Sequence, residues 1–148
     1  MSTEPAELEA SVFTKIISGV FPGRFVWKGP EVVAFLTIAP LMPGHTLIVP
    51  RKQIDQWTDV DADLWQELAR VQLAVGTALK ASFSCSRIGS IIAGLEVPHC
   101  HIHLIPIHHE SDLSFANADP SPNPAALDEA AERIRAALTE LGHSEVSD

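Results

Sequence analysis

The sequence predicts an antiparallel β-sheet covered by one long helix, with a second helix closing the chain. Three observations carry this. Runs rich in β-branched and aromatic residues at 24–28, 31–38 and 45–49 are separated by the turn pairs Gly29-Pro30 and Pro43-Gly44, so that successive runs fold back on one another. Residues 61–81 then repeat apolar side chains at helical spacing, and two further strand-like runs follow at 87–93 and 99–105.

In chain order, the acidic, polar segment 1–10 reads as a flexible lead-in, and 7–20 carries a short helical pattern that ends at Gly19 and Pro22. The three strands come next as a meander. In the long helix, Asp61 stands at the capping position, and Leu64, Leu68, Val71, Val75 and Leu79 share one face, which is expected to cover the sheet. Gly94 to Pro98 reads as a tight connection between the last two strands, with Pro106 as a stop. Residues 110–124, rich in Asp, Ser, Asn and Pro, suit an irregular surface segment. The closing helix, 125–141, aligns Leu127, Ala131, Ile134, Leu138 and Leu141, a stripe that must dock on its own domain or on a partner chain.

The 148 residues, 46% of them hydrophobic, suffice for one domain with a real core. With 10 basic against 19 acidic residues the formal charge is −9, which argues against nucleic acid polymers and anionic membranes as partners. Any phosphate ligand must therefore be held locally. Cys85 and Cys100 form no disulfide or metal spacing, the first residues lack a basic and apolar leader, and no apolar run approaches the ~20 residues that span a bilayer. A cytoplasmic location is expected.

The most informative run is His99-Cys100-His101-Ile102-His103-Leu104-Ile105. On a strand, residues two apart share a face, so the three imidazoles would project together while Cys100, Ile102 and Leu104 point away. Three readings compete. The face could simply be solvated. Two of the rings could hold a metal, although a rise of about 3.3 Å per residue places His99 and His103 too far apart for all three to converge on one ion. The third reading uses the rings as nucleophile and proton donors. A neutral imidazole has a free lone pair when its other nitrogen donates a hydrogen bond, and phosphorus is a suitable electrophile. Just upstream, Gly94 could aim backbone N–H groups at an anion, or could be an ordinary hairpin glycine.

The run resembles the signature of the histidine triad (HIT) superfamily, His-φ-His-φ-His-φ-φ with φ apolar. The resemblance extends through residues 93–98, 34–38 and 43–50, and covers about 11–107. It implies an α+β, HIT-like fold with an antiparallel sheet, a long helix and a C-terminal helix. Residues 1–10 would then be lead-in, 11–107 the HIT domain, and 108–148 a C-terminal loop and helix. It also implies a homodimer whose two sheets join, and a hydrolase acting on a nucleoside 5'-phosphoramidate or a related mixed phosphate. By the same resemblance His101 is the nucleophile that carries the nucleotidyl group, with its other ring nitrogen held by the His99 carbonyl. His99, His103 and His45 assist; Phe21, Phe35 and Ile38 line the purine pocket. Thr37 stands at the ribose, and Glu96 and Val97 meet the phosphate, beside the candidate anion turn at Gly94.

Departures from the family pattern are specific. Many bacterial relatives bind zinc through a Cys-x-x-Cys pair, a later His and the first triad His. Here the first three positions are Ser11, Thr14 and Gln53, so no metal and no other cofactor is expected. The usual acidic ribose ligand is Thr37, a usual Gln is Leu95, and a small polar residue at the phosphate is Glu96. The alternatives to a phosphoramidase are dinucleoside polyphosphate cleavage and a nucleotide-binding module with little turnover.

Overall fold

A computed structural model describes residues 9–148; residues 1–8 of the expected lead-in lie outside the described residues. The chain is α+β. Strands β1 (Phe25–Lys28), β2 (Val32–Leu36), β3 (Thr46–Pro50), β4 (Arg87–Ile91) and β5 (Ile102–Ile107) form one antiparallel sheet in the order β1-β2-β3-β5-β4.

Strand alternation sorts the side chains onto two faces. Ala34, Leu36, Ile48, Ile102 and Leu104 join the core beneath helices α2 (Ala62–Ser82) and α3 (Pro124–Glu140). Val33, Phe35, Leu47 and Val49 belong to the opposite face, where helix α1 (Val12–Ile17) adds Phe13. The first face stabilises the fold, and the second carries the site.

Helix α2 begins where the Asp61 side chain accepts the Leu64 N–H at 2.9 Å. Leu64, Leu68, Val71, Val75 and Leu79 are all buried on the sheet, and the small Ala74 and Ala78 between them let the helix approach closely. Asn123 caps α3 in the same way, accepting the Ala125 N–H at 2.9 Å, with Pro124 opening the helix. Ala130, Ala131, Ile134 and Leu138 bury against α2, β1 and β2 of the same chain, whereas Leu141 lies past the last turn and is exposed.

Four local expectations are corrected. The first helix is shorter than 7–20, because Ser11 caps it by accepting the Thr14 N–H at 3.0 Å and Gly19 leaves it with a φ of +87°. The last strand starts at Ile102 rather than at His99. Its pairing with β3 ends at Ile48–Ile102, beyond which Pro50 offers no N–H and the Cys100 N–H turns to the Ile54 carbonyl, 2.6 Å away. The link between β4 and β5 is therefore an irregular loop over 92–101 and not a tight turn. Pro106 does not stop the strand: the Ile107 carbonyl accepts from Ser86 on the β4 side, so the Pro106 nitrogen faces the side where β3 has already ended.

One element was not anticipated. After α3 the chain returns to the outer edge of β1, where the Lys28 N–H donates to the Glu145 carbonyl at 2.8 Å and Trp27 pairs with Val146.

Candidate active site

Histidine 45 enters the site from the Pro43-Gly44 turn. Gly44 has a φ of +91°, and a side chain there would meet the Phe83 ring at 3.0 Å, so the turn requires glycine. The Leu41 N–H donates to His45 Nδ1 at 3.0 Å, which leaves the His45 proton on Nε2. That Nε2–H donates to His103 Nδ1 at 2.9 Å, so a neutral His103 keeps its own proton on Nε2. One backbone amide thus fixes the tautomer of two rings.

Histidine 101 is fixed independently. Its Nδ1–H donates to the His99 carbonyl at 2.7 Å, and the lone pair on Nε2 is left free. The rings of His101 and His103 meet edge to face with centroids 4.8 Å apart, and Phe13 meets His101 at the same separation. Burial lowers the affinity of all four rings for a proton. It pushes His45 down to about 3, aided by His103 and His101, and His103 down to about 4, aided by His101. His101 and His99 move in the same direction for the same cause, opposed in each by a bond to a backbone carbonyl. At neutral pH the four rings are uncharged, and His101 Nε2 carries its lone pair. The neighbouring Cys100 is also buried, which pushes its thiol up to about 11 and leaves it without the thiolate a cysteine nucleophile needs.

The structure does not place His99 on the same wall. Its ring is fully enclosed, with Nε2–H donating to the Pro50 carbonyl at 2.7 Å and Nδ1 facing Ser11 Oγ at 2.7 Å. The ring cannot assist at a phosphate; what His99 offers the site is its carbonyl. His45, His101 and His103 form the wall.

Of the remaining expected positions, Phe35 is buried under Phe13 and Phe25, while Phe21 and Ile38 are exposed. Phe21 stands apart from that aromatic cluster and lies under Lys15. Thr37 accepts the Ala39 N–H on its hydroxyl at 3.2 Å. Gly94 adopts a φ of +80° in the loop before the triad, Val97 packs against the Phe13 and Phe35 core, and Glu96 is exposed. A cleft of about 480 Å³, lined in part by Asp55, Trp57, Gly94, Leu95 and His101, opens beside the loop.

Sequence reasoning missed three contributors. Phe13 braces His101 and His99, and its apolar position in α1 carried no sign of it. Ser11 holds the His99 ring; the sequence marked its position only through the family's zinc ligands, and nothing there pointed to this bond. Phe115, 48% exposed on a short 3₁₀ turn, sets its ring edge-on to His103 at 5.1 Å. Nothing in the polar segment around Phe115 announced that contact.

Three neutral imidazoles, His45 and His101 from loops beside the sheet and His103 from β5, thus meet in one cluster with each tautomer set by a hydrogen bond, an arrangement capable of nucleophilic and proton-transfer chemistry. The model of the HIT domain matches residues 18–110, and the chain belongs to the HIT family, a superfamily of nucleotide-binding proteins and hydrolases. An uncharacterised HIT-like protein of Methanocaldococcus jannaschii is 36% identical over 105 residues, covering 68% of this chain and 81% of that protein. The asymmetrical bis(5'-nucleosyl)-tetraphosphatase of Schizosaccharomyces pombe is 34% identical over 97 residues, or 58% of this chain and 52% of that protein. Among solved structures, a zinc-bound histidine triad family protein of Mycobacterium smegmatis superposes with a TM-score of 0.75 at 26% identity, covering 88% of this chain and 94% of that one.

The zinc of that relative raises the question of whether this chain could hold one. The positions named from the resemblance, Ser11, Thr14, Gln53 and His99, do converge. Their donors are two neutral hydroxyls, a carboxamide and an imidazole with both nitrogens engaged, whereas zinc selects thiolate, free imidazole and carboxylate. They do not fit zinc. No helix among the described residues is long and apolar enough to cross a membrane.

Proposed function

We propose that this protein hydrolyses a nucleoside 5'-phosphoramidate, or a related mixed nucleoside phosphate, through a nucleotide carried on His101. The observation that supports this reading is the hydrogen bond from His101 Nδ1–H to the His99 carbonyl, which leaves Nε2 as a neutral, unblocked nucleophile. His101 Nε2 attacks phosphorus as the bond to the leaving amine breaks; the amine departs with a proton taken from water, while the His103 Nε2–H donates a hydrogen bond to the departing nitrogen. His45, held by Leu41 N–H, orients His103 for that donation. Water then attacks the phosphorus, the bond from phosphorus to His101 Nε2 breaks, and the water's proton passes to solvent as the nucleoside monophosphate departs.

The purine would lie against the exposed Phe21 and Ile38, with the buried Phe35 behind them, the ribose near Thr37, and the phosphate against the backbone of Gly94, Glu96 and Val97. Backbone donors suit a protein of charge −9, because they hold an anion without a basic side chain. The steps draw on side chains and water alone. The free thiols of Cys85 and Cys100 suit a reducing cytoplasm. A homodimer would form across the outer edge of β4, beside which Leu73, Gly76 and Ile88 line an open groove with α2. Light scattering should give twice the monomer mass, and Leu73→Glu should return it to one.

Adenosine 5'-phosphoramidate should release AMP, and His101→Ala should abolish release. Equal rates for the two proteins would overturn the assignment. The similarity to the tetraphosphatase of Schizosaccharomyces pombe favours a second reading, cleavage of a dinucleoside polyphosphate, and a higher kcat/KM for diadenosine tetraphosphate than for the phosphoramidate would select it. Tight AMP binding without turnover of either substrate would select a binding module, in keeping with the departures at Thr37, Leu95 and Glu96.

A further inference from the structure

We propose that Ser11, Thr14 and Gln53 form a metal-free latch that positions His99 and, through the His99 carbonyl, the nucleophile His101. The inference rests on His101 acting as proposed above, but its structural half is testable separately. The His99 Nε2–H donates to the Pro50 carbonyl, so Nδ1 is a bare acceptor, and the hydrogen it accepts is that of Ser11 Oγ at 2.7 Å. The same Ser11 oxygen accepts the Thr14 N–H at 3.0 Å. Thr14 Oγ1–H donates to Gln53 Oε1 at 2.7 Å, which also accepts the Ser11 N–H at 2.8 Å, and Gln53 Nε2 donates to the Glu9 carbonyl at 2.8 Å. The bonds close a network that joins α1, the segment after β3 and the histidine loop.

Three features give the latch its purpose. His99 is 0% exposed and His101 6%, so neither ring has water to fall back on if its partner is lost. The bonds hold His99 on both ring nitrogens, and its carbonyl is the acceptor that decides which His101 nitrogen carries the proton. The latch also pins the start of α1, and that helix sets Phe13 against the edges of both His99 and His101. The donors of the latch are unsuited to zinc, and the network uses every one of them. Ser11 is thus a positioning residue; it touches no substrate.

The test uses the full chain, with Ser11→Ala and Ser11→Thr as variants. Mass spectrometry of the protein dialysed against zinc and then against buffer should find well under one zinc per chain, and stoichiometric zinc would overturn the proposal. Nitrogen-15 spectra of the wild type should show His101 as a single tautomer protonated at Nδ1. Ser11→Ala should show a mixture, and Ser11→Thr, which keeps the hydroxyl, should recover the single form. With adenosine 5'-phosphoramidate, Ser11→Ala should lose about tenfold in kcat at nearly constant KM, because the substrate contacts remain while the nucleophile is misaligned. A Ser11→Ala protein that melts earlier yet keeps both the tautomer and kcat would show an ordinary helix cap and sink the latch. If the wild type releases no AMP, the proposed function fails, and the zinc and tautomer measurements still decide the latch.

Discussion

Acidification should destabilise this protein in a pH range where its carboxylates contribute little. In the unfolded chain histidine titrates near 6.5, whereas in the folded protein burial holds His45 down to about 3 and His103 down to about 4. Between those values the unfolded chain binds protons that the folded chain excludes. Stability is therefore fully present above about 6.5 and falls as the pH drops below it. At about pH 5 the unfolded rings lie about 1.5 units above ambient, which costs about 2 kcal/mol per ring and about 4 kcal/mol for the pair. That is a large share of the 5–15 kcal/mol or so that typically separates folded from unfolded domains. His99 and His101, lowered by the same burial, add in the same direction. Asp112 and Glu145, whose carboxyls are held below their ordinary values by hydrogen bonds, lose their contribution only at lower pH. Urea titrations at about pH 8 and about pH 5 measure the difference, and a His45→Gln/His103→Gln variant should lose much less on acidification. Equal stability at the two pH values, or an undiminished loss in the double variant, would refute the assignment of the effect to these rings.

Because burial holds His101 below its ordinary value, kcat/KM for adenosine 5'-phosphoramidate should stay level from about pH 8 to about 6.5 and decline only at lower pH, as the ring gains a proton and loses its lone pair; a midpoint at or above 6.5 in the rate profile would contradict this. Glu96→Gln should lower KM severalfold with little change in kcat, since it removes an exposed negative charge from the loop assigned to the phosphate, and the advantage should shrink in high salt. Phe115→Ala should raise KM about fivefold for substrates with an aromatic leaving group, the equivalent of about 1 kcal/mol of aromatic contact, while leaving the ammonia-releasing phosphoramidate unchanged; equal effects on both would remove Phe115 from the leaving-group side. Leu68→Ala, in the middle of the buried face of α2, should cost about 2–5 kcal/mol in a urea titration.

The parts of the fold that were legible in the sequence are those written as a repeat. The α2 face, from Leu64 to Leu79, and the apolar stripe of α3 through Ala131, Ile134 and Leu138 follow one period over several turns, and each strand of the meander was bounded by a glycine-proline pair. What stayed hidden depends on where a strand loses its neighbour. The alternate spacing of His99, His101 and His103 suggested one wall, yet Pro50 ends the pairing with β3 and the chain turns before it reaches His99. Spacing alone cannot report which strand lies alongside. Ser11 and Phe115 were out of reach for a related reason: the first acts across 88 positions and the second from a segment without periodicity.

The return of residues 145–146 to β1 leaves the sheet with unlike margins. Along β1, Trp27 and Lys28 already have partners supplied from within the chain, whereas among the described residues no strand lies beside the outer edge of β4. Two copies meeting through β4 would consume each other's single vacancy, and a third would find no place to add. The homodimer proposed above would on this geometry be a self-limiting pair rather than a growing ribbon.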